Sequence, residues 1–499
     1  MKRKMWLFLS VAALMPVFAG VCPASAQQTA ADLPINQLTS YKGEEYLLIG
    51  NAWRGSGEPV IAINPLNPDN IVVGAMANLN YVEGEPIPSS FRDLNWASVV
   101  TYANTPNATK ALFAVTYDRG RTWRTFEDPF RDYSKMNRIA DTSVGFGKDG
   151  RIIIGAMSFF PQDATPLMRA NELEPSPGLL YGYTDIASST DEGKTWSTPV
   201  HVMGQSTPQL EYGPGLKPVF RGKTPYDRPF IVTDQSTGTV YIPGNGSGGE
   251  PAHAETFIRA SRDNGQTFGL IYAYDSLDYP EGGMASRPAA ANGVLGVAYT
   301  ASTAPGAKCP CIVFGASRDE GKTFDRQVVQ SNLPVSRGFN GMGAPALAAD
   351  PSHPGRFAVM TLTDGSAEMQ IYVTDDYGKT WKGPVHAGGT PGATINRPDI
   401  AYSPRGELAV MWLAAKADQS YTAWSAVSHD GGSKFSQPLQ VSTAPSPGRA
   451  AIKDRGNNWD GNDLSSIAVD NEFVHIVWGD GRAGFLGSWY ARIPLASYQ

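Results

Sequence analysis

Cysteine is nearly missing from this chain: three in 499 residues, of which only Cys309 and Cys311 lie beyond the N-terminal leader described below. A Cys-Pro-Cys triplet can close a small-ring disulfide, remain as two thiols or join a metal site. No matching Cys or His pair stands elsewhere, which points to a local structural role. Histidine is scarce too, at six, and no His/Asp/Glu cluster has metal-ligand spacing. Neither a metal nor a cofactor is expected. Charge is sparse, with 18% of residues charged, and 41 basic against 47 acidic residues give a net −6. Without Lys2, Arg3 and Lys4 the balance falls to −9 (−6 minus 3). An acidic chain of this size has no overall footprint for nucleic acid. Beyond Val21 no apolar run approaches the roughly 20 residues of a membrane span.

Gly (53), Pro (38) and a tenth of aromatic residues make up for these absences. So many aromatics with so little charge exclude disorder, and so much Gly and Pro argues against a helical bundle. What remains is a turn-rich all-β protein long enough for a large core. The N-terminus reads as an address. Lys2-Arg3-Lys4 precedes an apolar run from Met5 to Val21, interrupted by Ser10 and Pro16, and Ala24-Ser25-Ala26 offers small residues for cleavage. Residues 1–26 are expected to be a secretory signal peptide. Residues 27–499 would then form one mature domain, periplasmic or secreted, without a membrane span.

Internal repeats organise the rest. Thr116 to Trp123 (TYDRGRTW) recurs as Ser189 to Trp196 (STDEGKTW), Ser261 to Phe268 (SRDNGQTF), Ser317 to Phe324 (SRDEGKTF) and Thr374 to Trp381 (TDDYGKTW). A worn sixth copy, Ser428 to Phe435 (SHDGGSKF), has Lys434 in place of Thr. The Asp carboxylate and the leading hydroxyl can accept turn amides. Gly supplies the left-handed conformation that closes a hairpin. Two further strands precede the signed turn in each unit, as in Val60-Ile61-Ala62 and Ile71-Val72-Val73. Four short strands per unit, repeated about an axis, predict a β-propeller. Seven blades are expected, with six as the alternative. The seventh, Ser466 to Arg492, lacks the signed turn and one strand, which Tyr46 to Ile49 can supply to clasp the ring.

The octapeptide resembles the Asp-box, or bacterial neuraminidase repeat, of the sialidase superfamily, over roughly residues 45 to 495. The resemblance implies a propeller and a carbohydrate partner. It also implies an arginine triad on a substrate carboxylate, an Asp acid/base and a Tyr nucleophile assisted by Glu. The superfamily's first arginine lies in an Arg-Ile-Pro motif. Arg138-Ile139-Ala140-Asp141 is the match here, with Ala140 where the family has Pro.

In a propeller the signed turns mark one face, so functional residues belong to the opposite funnel. Aligning the seven units on the start of the inner strand gives Glu58, Asp141, Arg228, Arg287, Ala344, Arg397 and, with one residue of slack, Asp463. Arg228, Arg287 and Arg397 suit an anion, since the guanidinium fork binds a carboxylate with two bonds. With Asp463 and Arg138 they form the candidate substrate-binding set. Asp141 and Glu58 are the candidate acid/base carboxylates, and Tyr226 is the candidate nucleophile. Long connections over residues 77–108, 158–178, 199–227 and 440–463 carry Tyr81, Trp96, Tyr102, Phe159, Phe160, Tyr212 and Trp459 toward the same face. His253 offers a base for a lyase. The leading expectation is an exported, sialidase-like glycoside hydrolase that recognises an acidic glycan. A polysaccharide lyase, a hydrolase of another glycan and a non-catalytic binding propeller stay open.

Overall fold

Apolar runs such as Leu408–Ala415 and Phe357–Leu362 are buried at every residue. A strand that reads as a continuous apolar run must be covered on both faces, and here each sheet is packed between two others. The computed structural model describes residues 45–50, 54–79, 109–127, 129–130, 138–161, 180–204, 213–214, 228–249, 254–333, 345–447 and 464–499. These residues form seven antiparallel sheets of four strands, the fourth with its inner strand split in two. Blade 1 comprises Arg54–Asn64, Asn67–Leu79, Thr109–Thr116 and Arg124–Glu127. Blade 2 comprises Arg138–Phe146, Ile152–Pro161, Leu180–Ser189 and Val200–Gly204. Blades 3 to 6 begin at Val232–Asp234, Glu281–Ala285, Ala346–Ala349 and Thr394–Tyr402. Inner strands touch their neighbours in sequence, and that of blade 7, Ser466–Val469, touches the inner strands of both blade 6 and blade 1. The ring is closed. The protein is an all-β, seven-bladed β-propeller.

Each of the seven interfaces between blades holds its own apolar cluster. Outer strands face solvent instead, as in Lys382–Gly388. The seventh blade is completed from the other end of the chain. Glu45–Ile49 pairs antiparallel with Gly487–Pro494, with Tyr46 opposite Tyr490 and Leu47 opposite Trp489. The Glu45 carboxylate meets Arg482 Nη1 at 2.6 Å and accepts Thr443 N at 2.8 Å. Tyr46 Oη donates to Gly120 O at 2.9 Å and accepts Trp123 Nε1. The strand expected to clasp the ring does so.

The signed turns share one hydrogen-bond scheme. In blade 1, Thr116 Oγ1 donates to Asp118 Oδ1 (2.7 Å), which accepts Arg121 N (2.9 Å) and Thr122 N (2.8 Å), while Thr122 Oγ1 donates to Oδ2 (2.6 Å). Asp191, Asp263, Asp319 and Asp376 hold the equivalent hydroxyls. Asp430 holds its turn amides but gains no hydroxyl from Lys434. Gly120 and its equivalents have φ between +75° and +109°, as the turn requires. Cys309 and Cys311 are joined as a disulfide beside the third strand of blade 4.

One expectation is corrected. Phe159 and Phe160 lie in the second strand of blade 2 rather than on a connection. The ladder continues there, pairing Phe159 with Gly182, Phe160 with Tyr181 and Pro161 with Leu180. The strands of blades 1 and 2 likewise extend to Leu79 and over Val200–Gly204.

Candidate functional site

The heads of the inner strands break the regular ladder at one height. In blade 1, Gly57 pairs with Met76 and Val60 with Gly74, so three residue steps answer two. The same extra residue stands between Ala140 and Ser143 in blade 2 and between Asn396 and Asp399 in blade 6. In blade 4, Ala285 pairs with Tyr299 and Ala289 with Gly296, four steps against three. Blade 3 turns at its head through Phe230 N donating to Arg228 O at 2.8 Å. A bulge disrupts the alternation that would send each side chain into a neighbouring blade, and it re-aims the residue it contains.

The residues inside these irregularities are Glu58, Asp141, Arg228, Arg287 and Arg397. Four of them adopt the left-handed backbone, with φ of +53° at Glu58, +39° at Asp141, +59° at Arg228 and +46° at Arg397. For a non-glycine residue this costs on the order of 1–3 kcal/mol. Pro follows Glu58, Arg228 and Arg397 and stiffens the bulge. Glu58, Arg228 and Arg397 are no more than 8% exposed, while Asp141 is half-buried. Strained, buried, charged positions repeated at one end of a propeller are characteristic of places where function holds the backbone.

Arg287 shows where that end converges. Its guanidinium lies over the Phe230 ring of blade 3, 4.8 Å from the centroid, and Nη2 donates to Ser466 Oγ of blade 7 at 3.4 Å. Blades 4 and 7 face each other in a ring of seven, so this bond crosses the central channel. Among the described residues no carboxylate forms an ion pair with Arg287. Among the described residues, then, this half-buried cation at the axis has no counter-ion.

Neutral polar atoms near the strand heads are unsatisfied as well. Thr142 Oγ1, Ser286 Oγ, Asn396 Oδ1 and Ser465 Oγ are buried and have no hydrogen-bond partner among the described residues. They come from blades 2, 4, 6 and 7, each beside or just past a strand head. An unpaired buried group costs roughly 1–3 kcal/mol. Such groups occur elsewhere in the propeller too, as at Ser158 Oγ and Thr361 Oγ1, and what sets these four apart is their place in sequence beside the strand heads. Elsewhere the same strands are satisfied, as where Ser143 Oγ accepts Ile231 N and Asp399 Oδ2 accepts Ile467 N. Sequence reading located the charged heads but passed over these four, although polar residues flanking the charged positions were there to be read.

It also passed over a pair in blade 2. The buried Asp185 carboxylate contacts Nδ1 of half-exposed His201, whose ring lies 4.9 Å from that of Tyr183. Burial alone would push the His201 pKa down, but Asp185 more than offsets it, and the pKa is raised. Nothing in the local pattern marks these two residues, because they meet only through strand register. Tyr226, Asp463, Ala344, His253, Tyr81, Trp96, Tyr102, Tyr212 and Trp459 lie outside the described residues, as does the leader. Arg138 opens the inner strand of blade 2, opposite Phe159. Among the described residues no cluster suits a metal, and no helix is long and apolar enough to cross a membrane.

No family model matches the chain. Among curated proteins it is similar to a xyloglucanase from Paenibacillus sp., 23% identical over 339 residues, covering 66% of this chain and 26% of the relative. The chain thus spans about a quarter of that relative's length. Among solved structures it is similar to a protein of unknown function from Dyadobacter fermentans (TM-score 0.47, 13% identity, 91% and 98% of the two chains). It is also similar to a Hadza microbial sialidase (0.42, 14%, 89% and 66%). A third is the leech intramolecular trans-sialidase with 2,7-anhydro-Neu5Ac (0.44, 13%, 75% and 67%). By its own strand order and backbone the protein is a seven-bladed propeller with charged strand heads, four of them strained, and sialidases are among the structures it is similar to.

Proposed function

We propose that this protein is an exported, sialidase-like glycoside hydrolase that acts on an acidic sugar at the funnel end of the propeller. The observation that supports it most is Arg287, a cation on the axis without a carboxylate partner among the described residues. A substrate carboxylate would complete it, with Arg228 and Arg397 at the equivalent heads of blades 3 and 6. Thr142, Ser286, Asn396 and Ser465 offer neutral hydrogen bonds of the kind a polyhydroxylated ligand takes. Arg138 and Asp463 complete the binding set.

In this reading Asp141 protonates the glycosidic oxygen as its bond to the anomeric carbon breaks. Tyr226, its phenol activated by Glu58, attacks that carbon. Asp141 then takes a proton from water as water displaces the tyrosine, which is regenerated. Export rests on the signal-like residues 1–26. One observation favours a second reading. The similarity to a protein named xyloglucanase suits a hydrolase of a neutral glycan on the same scaffold, for which Arg287 has no anion to meet.

The test is to screen the mature protein on fluorogenic sialosides, uronides and neutral glycosides. Turnover of an acidic substrate is expected, lowered about 100-fold or more by Asp141→Asn with KM little changed. Asn tolerates the left-handed backbone, so that variant keeps the fold. Turnover of neutral glycosides alone would replace the acidic-sugar reading with the second one, and an unsaturated product would mean elimination rather than hydrolysis.

A further inference from the structure

The outer side of blades 5 and 6 carries a cleft of about 460 Å³. It is lined by residues flanking the outer strands, Lys382–Gly388 and Leu439–Gln440, so it lies away from the axis. Its size falls within the range of small-molecule sites. Its walls are preformed. Ala393 N donates to Thr390 O at 3.1 Å, closing a turn with Pro391 and left-handed Gly392 (φ +73°) at its centre. Pro followed by Gly in those two places is the type II turn pattern. The turn is anchored from below, where the indole of buried Trp412 donates to Thr390 Oγ1 at 3.3 Å. A Cβ on Gly389 would stand 2.5 Å from Ala367 O, so only glycine permits this close approach. A Cβ on Gly392 would meet nothing within 4 Å, so that side of the turn is open.

The chemistry of the lining narrows what fits. Phe435, Pro391 and Pro438 give apolar surface, and the exposed Gln437 carboxamide gives a donor and an acceptor. The single carboxylate, Glu368, meets His386 Nδ1 at 3.0 Å, and the lining holds no Lys or Arg. A carboxylate ligand finds no unpaired cation here, in contrast to the axis. We propose that this rim cleft is a second carbohydrate site that takes one or two neutral sugar units. A pyranose presents C–H faces to Phe435 and the prolines and hydroxyls to Gln437 and Glu368. The rim site stands independently of the funnel, and it would hold a neutral stretch of glycan at the edge of the propeller.

The test is to titrate the folded protein with cellobiose, lactose, maltose and, as the acidic comparison, digalacturonate, following saturation-transfer NMR. At least one neutral disaccharide should bind with Kd of about 1–10 mM. Gln437→Ala and Glu368→Ala alter exposed side chains and should each weaken it about fivefold or more, with melting temperature unchanged. Arg287→Ala should leave it untouched. No saturable binding of any neutral disaccharide up to about 20 mM would overturn the rim site. So would binding that both rim variants leave intact, or binding lost only in Arg287→Ala, which would place it in the funnel.

Discussion

Asp118 accepts a hydroxyl and two amides on Oδ1 and a second hydroxyl on Oδ2, which makes it the organising residue of its turn. Asp118→Ala should therefore lower stability by about 1–3 kcal/mol, read from the denaturant midpoint, while activity per folded molecule is kept. Loss of turnover in an equally stable variant would move the site to the wrong face. Lys434→Thr should do the converse, restoring the missing hydroxyl to Asp430 and adding about 0.5–1 kcal/mol. The same bonds set an acid limit. The side-chain and backbone bonds from Thr195 hold Asp191 at about 2, and those from Thr380 hold Asp376 at about 2. The unfolded chain protonates such carboxylates near pH 4, roughly two units higher. Their contribution is complete above about pH 4 and is lost as pH falls toward about 2. Melting temperature should decline through that window, and a flat profile would show that the turns contribute little to the fold.

Single strands matter most where they join distant parts of the chain. Glu45–Ile49 buries Leu48 and Ile49 and supplies the edge of blade 7. Removing residues through 50 should cost about 3–6 kcal/mol, from the loss of the buried Leu48 and Ile49 side chains, and shift the urea midpoint sharply. An unchanged midpoint would make the strand dispensable. Glu45→Gln is the milder probe. Its cost should fall below the roughly 3–5 kcal/mol of an uncompensated buried charge, because Asp480 still holds Arg482 at 2.6 Å. This strand was legible in sequence because blade 7 came up one strand short. The octapeptides were legible because each acts within its own turn. Thr116, Asp118, Gly120 and Thr122 meet within a few residues, so spacing alone reveals them. The strand heads were legible by register, since repeats of known phase put Glu58, Asp141, Arg228, Arg287 and Arg397 at one position. The left-handed backbone of Glu58, Asp141, Arg228 and Arg397 was not, because such an irregularity is set by the opposing strand.

At the scale of the whole molecule, the ring creates contacts that no local pattern contains. Arg287 and Ser466 are 179 residues apart and meet because blades 4 and 7 face each other across the channel. His475 is buried between Tyr490 Oη at 2.8 Å and Asp470 Oδ2 at 3.2 Å, and Asp470 also meets Arg119 of blade 1 at 3.3 Å. That network ties the last blade to the first, and sequence gave no sign of it. Closure brings the inner strands of blades 7 and 1 together and leaves Arg287 at the axis with no carboxylate partner among the described residues. The most direct measurement is therefore the affinity of Arg287→Ala, against the parent, for sialate and uronate oligosaccharides and their neutral counterparts by calorimetry. If Arg287 receives the sugar's carboxylate, the acidic ligands should lose about 2 kcal/mol or more, roughly thirtyfold in Kd. Arg287→Lys should recover little of it, since an ammonium cannot reproduce the fork, and neutral ligands should be unaffected. Equal affinity of parent and variant for every acidic ligand would contradict the account.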